Sequence, residues 1–319
     1  MRTSSHRIIK AIGENRLIVM IINWSRHAIL PGFDGVSLYD TIRYFWSGIM
    51  KGSIGLRASA FSFNFFLSLF PAIIFFFTII PYIPINHFQD TLLQLMQNII
   101  PDRVYQAVES TLLDVIKQPR GGLLSLGFVL ALYFSTNGIS SLMVAFNQSI
   151  HQVETRPFYV QQLVSVLLVM IISSIIIIAI SLITIAPPIL RFLVEYGFIK
   201  DDFTFYIIGL LRWAVIIGMF LFAFSFLYYL APTGHDEFRF ISAGSTLSTI
   251  LTIAASIGFN YYVNNFSKYN TLYGSIGTLM IIMIWINFNA YVVLIGFELN
   301  ASIRGAKRSL AKKSLKKTE

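Results

Sequence analysis

The chain alternates long apolar stretches with short polar ones. Six apolar runs predict helices, roughly over 58–82, 122–146, 160–186, 205–230, 240–263 and 274–302. Each exceeds the length of about 20 residues that crosses a bilayer core of about 30 Å. A single run of this kind could be a buried helix of a soluble protein; several in one chain point to a membrane bundle. Between the first two runs, "FQDTLLQLMQNII" places Leu92, Leu93, Met96 and Ile99 on one helical face, and "DRVYQAVESTLLDVI" does the same with Val104, Val108, Leu112 and Ile116. Pro101 separates them, so an amphipathic helical hairpin is predicted there. Ahead of the first run, "YDTIRYFWSGIMKGSIGLR" mixes aromatics with Arg and Lys, as helices lying at a membrane surface do. The expected division is a basic interfacial segment 1–57, a six-span all-α membrane domain 58–303 and a basic tail 304–319.

Composition agrees with the pattern. Of 319 residues, 55% are hydrophobic, 15% aromatic and only 12% charged, against about 25% charged in soluble domains. The charge gathers at the ends. Residues 1–57 hold eight Lys/Arg against three acids, and "RGAKRSLAKKSLKKTE" at 304–319 holds seven against one. The connections 83–121 and 187–204 hold three against four and two against three. Basic loops stay cytosolic. An even number of spans puts both basic ends on that side, with both termini cytosolic and the hairpin outside. The net charge of +9 is thus mainly a topology signal, with anionic lipid as a further partner of the tail. The tail lacks interleaved aromatics and no RNA-binding motif is visible, so no nucleic-acid partner is expected. The start of the chain reads as retained sequence, because its run "LIVMIINW" is short and no small-residue cleavage site follows.

Ionisable groups inside a membrane are expensive and usually face protein or water. Arg212 is the one that lies well within a span; Arg57 and Glu298 lie near span ends. Arg212 and Glu298 differ in depth by about 25 Å at 1.5 Å per residue, too far to pair. Glu298 matches Arg57 in depth, with Arg156 as a second partner and Glu154 beside it; these four are the candidates for an ion pair at the inner rim. Arg212 either snorkels to the headgroups or faces a cavity. Neutral polar residues cluster from mid-membrane inward: Ser62, Asn64 and Ser68 near Pro71 on the first span, Asn137, Ser140, Ser141 and Asn147 on the second, Asn287 and Asn289 on the sixth. They either bond helices together or line a cavity open to the cytosol. Arg212, Asn64, Ser68, Asn137, Asn287 and Asn289 are the candidate cavity residues. Gly244, Ser248, Thr252 and Ser256 recur every fourth residue on the fifth span, a stripe that admits close packing within the protomer or in a homo-oligomer.

Catalytic signatures are missing. The chain has no cysteine, so it has no disulfide, thiol nucleophile or thiolate metal site. His6, His27, His87, His151 and His235 stand alone, without a ligand at metal spacing. There is no glycine-rich phosphate loop, nucleophile elbow or zinc-protease motif. Neither an enzyme nor a cofactor is expected.

Four segments, in order, resemble the YihY/virulence factor BrkB family of bacterial inner-membrane proteins. They are "LRASAFSFNFFLSLFPAI", "LMVAFNQSIHQVETRPF", "LLRWAVIIGMFLFAFSFLYYLAPTG" and "SIGFNYYVNNFSKYNTLYGSIGTLMIIMIWINFNAYVVLIGFELNASI". They carry Arg57, Ser68 and Pro71, then Asn147, Glu154, Arg156 and Pro157, then Arg212, Trp213, Tyr229, Ala231 and Pro232. The resemblance runs from about residue 40 to 303 and implies a six-span bundle in the inner membrane. It also implies a link to envelope lipid or lipopolysaccharide handling, which favours transport of an anionic amphiphile. The ribonuclease label the family once carried finds no histidine–aspartate metal cluster here. The expectation is a transporter or lipid-handling permease without its own ATPase; the alternative is a non-transporting scaffold or envelope-assembly partner. Within the last segment, "NNFSKYNTLYGSIG" is the expected outer turn between spans five and six. Lys268, Tyr269, Asn270, Tyr273 and Gly274 make it either a well-specified turn or an outer gate.

Overall fold

The computed structural model describes residues 16–82, 89–90, 93–94, 113, 116–149, 156–196, 201–233, 241–265 and 275–318. Among them the chain is all-helical: α1 Arg16–His27, α2 Leu38–Lys51, α3 Ile54–Ile79, α4 Gly121–Asn147, α5 Phe158–Glu195, α6 Asp201–Leu230, α7 Ala243–Asn265 and α8 Ser275–Thr318. A 3-10 turn at Ile80–Tyr82 extends α3. Helices satisfy their own backbone groups, which lipid cannot do for them. Among the described residues five stretches are long and apolar enough to cross a membrane: Ile54–Tyr82, Gly121–Asn147, Phe158–Ile189, Tyr206–Leu230 and Leu279–Lys312. α7 stands where the fifth span is expected. Its 23 residues would reach about 35 Å, but its serines, threonines and glycines lower its hydropathy.

The helices form a ring. α3 packs on α4, α4 on α5, α5 on α6, α6 on α7, α7 on α8, and α8 returns to α3. α4 and α3 come close at Gly127, where an added Cβ would lie 3.3 Å from the Phe75 backbone. α2 lies against α8, and α1 against α2. Arg26 covers the Tyr39 ring at 5.1 Å and the Leu38 amide donates to Ala28 O, so α1 is fastened to the start of α2. Ser37 caps α2 through the Asp40 amide. Between α2 and α3 the chain turns on Gly52 and Ser53, the latter left-handed at φ 48°.

Two features bear on the sequence reading. The basic tail continues the last helix, since α8 runs unbroken to Thr318. Its 44 residues would measure about 66 Å, twice a bilayer core, so the basic part projects beyond the hydrocarbon. Of the expected hairpin, residues 89–90, 93–94, 113 and 116–117 are helical, and Asp90 pairs with Lys117 at 2.9 Å. The rest of it lies outside the described residues.

Burial is uneven along the ring. The core gathers at the end that carries the basic segments: Ala58, Leu142, Met143, Phe146, Leu227, Tyr228, Ala290, Leu294, Phe297 and Ala301. Phe146 and Phe297, both fully buried, stack with centroids 4.1 Å apart. The opposite half is thinly packed. On α6 the six consecutive residues 209–214 are all exposed. At 3.6 residues per turn they sweep every side of the helix, so α6 is only partly covered at that depth, from Leu210 at 75% exposed to Leu211 at 39%.

Candidate functional site

The basic end is closed by polar bonds between helices. At its centre Arg57, in the first turn of α3, meets Glu298 of α8 with Nη2 3.3 Å from Oε2. Their side chains are 2% and 0% exposed. Arg57 Nη1 donates to Ala145 O at 2.8 Å, and the Ser149 hydroxyl donates to Glu298 Oε1 at 2.9 Å. Three segments thus converge on two opposite charges. The approach of α2 depends on Gly48, where an added Cβ would run into the Glu298 carboxylate. Arg57 Nε and Asn147 Oδ1 are buried here without a hydrogen-bond partner, a donor and an acceptor left over in the same layer.

Two further knots tie α6, α7 and α8. The Tyr228 hydroxyl donates to Val293 O at 2.8 Å and lies 2.6 Å from Ser248 Oγ, which reaches Val292 O at 3.3 Å. Asn300 accepts from the Gly244 amide at 2.8 Å and donates to Ser242 Oγ at 2.9 Å, capping the start of α7 from across the interface. Gly244 and Gly296 allow this contact: a Cβ on Gly296 would strike Ser248 Oγ, and one on Gly244 would strike Gly296 O. The small-residue stripe of α7 is therefore spent, from Gly244 to Ser248, on packing inside the protomer.

The other residues singled out from the sequence fall as follows. Arg156 does not meet Glu298; it donates to Leu230 O at 2.8 Å and Pro232 O at 2.7 Å, covering carbonyls that the end of α6 leaves free. Asn64 donates to Ser141 Oγ at 3.1 Å, joining α3 to α4, and Asn287 donates to Ser62 Oγ at 3.3 Å, joining α8 to α3. Ser68 and Asn289 bond within their own helices, to Phe65 O and Trp285 O. Asn137 is half-buried and makes no hydrogen bond among the described residues. Asn64 and Asn287 thus join one helix to another, while Ser68 and Asn289 serve their own helices. Arg212 is exposed, within the thinly covered turn of α6, and has no ion pair among the described residues. Glu154, Lys268, Tyr269, Asn270, Tyr273 and Gly274 lie outside the described residues.

Sequence reasoning missed Ser149, Tyr228 and Asn300. Each is a single polar residue at a span end, where polar residues are ordinary. The usable signal was glycine: Gly296 sits in the apolar run two residues before Glu298, at a place where only a missing side chain lets α7 approach.

A ring of helices in which, among the described residues, five stretches are fit to cross a bilayer is a polytopic helical membrane protein. More narrowly, the chain belongs to the family described as Virulence factor BrkB, whose model matches residues 45–318. It is 30% identical over 252 residues to the ribonuclease-like protein YfkH of Bacillus subtilis (strain 168), covering 79% of this chain and 90% of that one. Shorter similarities join it to UPF0761 membrane proteins. One, of Tolumonas auensis, is 34% identical over 24% of this chain and 26% of its own; another, of Pseudoalteromonas translucida, is 33% identical over 27% and 29%. No solved structure matches. Among the described residues no group of three or more His, Asp or Glu side chains converges.

Proposed function

We propose that this protein is a multi-pass carrier of the bacterial inner membrane that moves an anionic amphiphile, with α7 as a sixth span and the basic end facing the cytosol. It acts as a permease without its own ATPase and not as an enzyme. The supporting observation is the asymmetry of the ring. One end is closed by the buried Arg57–Glu298 pair and its hydrogen bonds. The other leaves α6 only thinly covered around Arg212. A cation in the thinly packed half of a bundle, without an acidic partner among the described residues, suits the phosphate or carboxylate of an amphiphile whose tail stays in lipid. The closed basic end then corresponds to one of the two states that alternating access requires.

The test is lipid movement in reconstituted vesicles. Fluorescent phosphatidylglycerol is placed in both leaflets and the outer label is destroyed chemically. The protein should raise the accessible fraction above that of empty vesicles, and Arg212→Ala should return it to that baseline while the variant still elutes as folded protein. Equal rates for the variant and the unchanged chain refute the role of Arg212. No movement by either, across anionic lipids, refutes the carrier reading.

A further inference from the structure

A polar recess lies at the basic end, apart from Arg212 and from the ion pair. It is a groove of about 400 Å³ between α2 and the projecting part of α8, lined by Asp40, Arg43, Tyr44, Ser47, Ser309 and Leu310 with Ala306 at its base. That volume falls within the range of small-molecule sites.

The charges in the groove are arranged for a ligand carrying both signs. Asp40 and Arg43 are three residues apart on α2, so they share a face of the helix, yet they form no ion pair with each other. Asp40 Oδ2 accepts from the Ser37 hydroxyl at 2.9 Å, which fixes the carboxylate and leaves Oδ1 without a partner among the described residues. Arg43 is exposed and makes no hydrogen bond or ion pair among them. A purely anionic ligand would meet Asp40 as a like charge, and a purely cationic one would meet Arg43. A phosphate carrying an amine matches both, the phosphate on Arg43 and the ammonium on Asp40, with hydroxyls of Ser47 and Ser309 beside them.

The neighbouring face of α2 indicates where such a ligand comes from. Ile42, Trp46 and Met50 are 53%, 61% and 67% exposed and stand four residues apart, forming one uncovered apolar stripe. The stripe starts next to Arg43 and ends four residues before Ile54, where the first membrane-crossing stretch begins. A chain of methylenes laid along it would lead from the groove into the bilayer.

We infer that this groove binds the headgroup of a membrane phospholipid with a primary amine on its phosphate, phosphatidylethanolamine in chemistry, with an acyl chain along Ile42, Trp46 and Met50. The inference is independent of transport. It is tested by native mass spectrometry of the full chain in detergent, titrated with equal amounts of phosphatidylethanolamine, phosphatidylglycerol and phosphatidylcholine. The unchanged chain should retain phosphatidylethanolamine over the other two. Arg43→Gln should weaken that retention about fivefold, the effect of about one cation at a lipid surface. Asp40→Asn should remove the preference for the amine while keeping affinity for phosphate. Ser47→Leu, which fills the groove and touches no charge, should also lower retention, and serves if Arg43→Gln fails to fold. Equal or stronger binding of phosphatidylglycerol overturns the inference in favour of general attraction to Lys51 and Lys307. Equal binding of phosphatidylcholine removes the hydrogen-bonded amine. Soluble phosphoethanolamine that displaces the lipid at equal concentration shows a soluble ligand instead and overturns the lipid source.

Discussion

Replacing Glu298 by Ala should destabilise the folded bundle more than any other single truncation at the basic end. The carboxylate is fully buried, accepts from Ser149 and faces Arg57 at 3.3 Å. At an effective dielectric of about 20, two unit charges at that separation attract by about 5 kcal/mol. Desolvation offsets much of this, so the pair adds little compared with an apolar pair of the same shape. Removing one member is different. Arg57 would keep its bond to Ala145 O but would remain as a buried, uncompensated cation, with Ser149 stripped of an acceptor, at a cost of about 3–5 kcal/mol. Arg57→Met together with Glu298→Ala removes both charges and should cost less than the two single changes summed, with a coupling of about 2–3 kcal/mol. Reversible unfolding in mixed micelles, followed by circular dichroism over the full cycle of four proteins, measures it. Single changes below about 1 kcal/mol that add up in the double variant would refute the reasoning, because they would mean that the pair is hydrated in the folded state.

Other outcomes follow from the same geometry. Gly296→Ala pushes a methyl into Ser248 Oγ and the Tyr228 hydroxyl, and should cost about 1–3 kcal/mol through overpacking; the same unfolding assay reads it. Tyr228→Phe removes a buried hydroxyl that serves both Val293 O and Ser248, with an expected loss of about 1–3 kcal/mol from the groups left unpaired. Asn300→Ala uncaps α7, because Gly244 N loses its acceptor; faster hydrogen exchange should appear at the first turn of α7 and not at its far end. Arg212→Ala should leave the melting temperature unchanged, since the side chain is exposed and has no ion pair among the described residues; a clear drop would mean that Arg212 is structural.

How much of the site was legible in the sequence depended on which physical quantity placed each residue. Depth along the membrane normal can be counted from the sequence at a fixed rise per residue. Counting alone matched Glu298 with Arg57 and separated it from Arg212, and the structure sets the first two side by side. Rotation about each helix axis cannot be counted in the same way, because a nearly uniform apolar run has no polar face to mark it. Hence Arg156, at a suitable depth, turned out to cover the carbonyls of Leu230 and Pro232. Hence too the choice between glue and cavity for Asn64 and Asn287 stayed open until their partners, Ser141 and Ser62, were known.

The sequence by itself determined the solvent. Uncharged runs of membrane length leave the chain no aqueous core to build, and lipid permits only structures that satisfy their own backbone, which here are helices. It also determined where charge collects and the family. What only the tertiary structure decided is how the helices close into a ring, which end of that ring is packed, and which side chains are spent in packing it. In a membrane no difference in hydrophobicity tells one helix face from another. The choice falls to shape and to single hydrogen bonds: Gly48 beneath Glu298, Gly296 beneath Ser248, Asn300 on the Gly244 amide. Those contacts join residues far apart in the chain, and no local pattern records them.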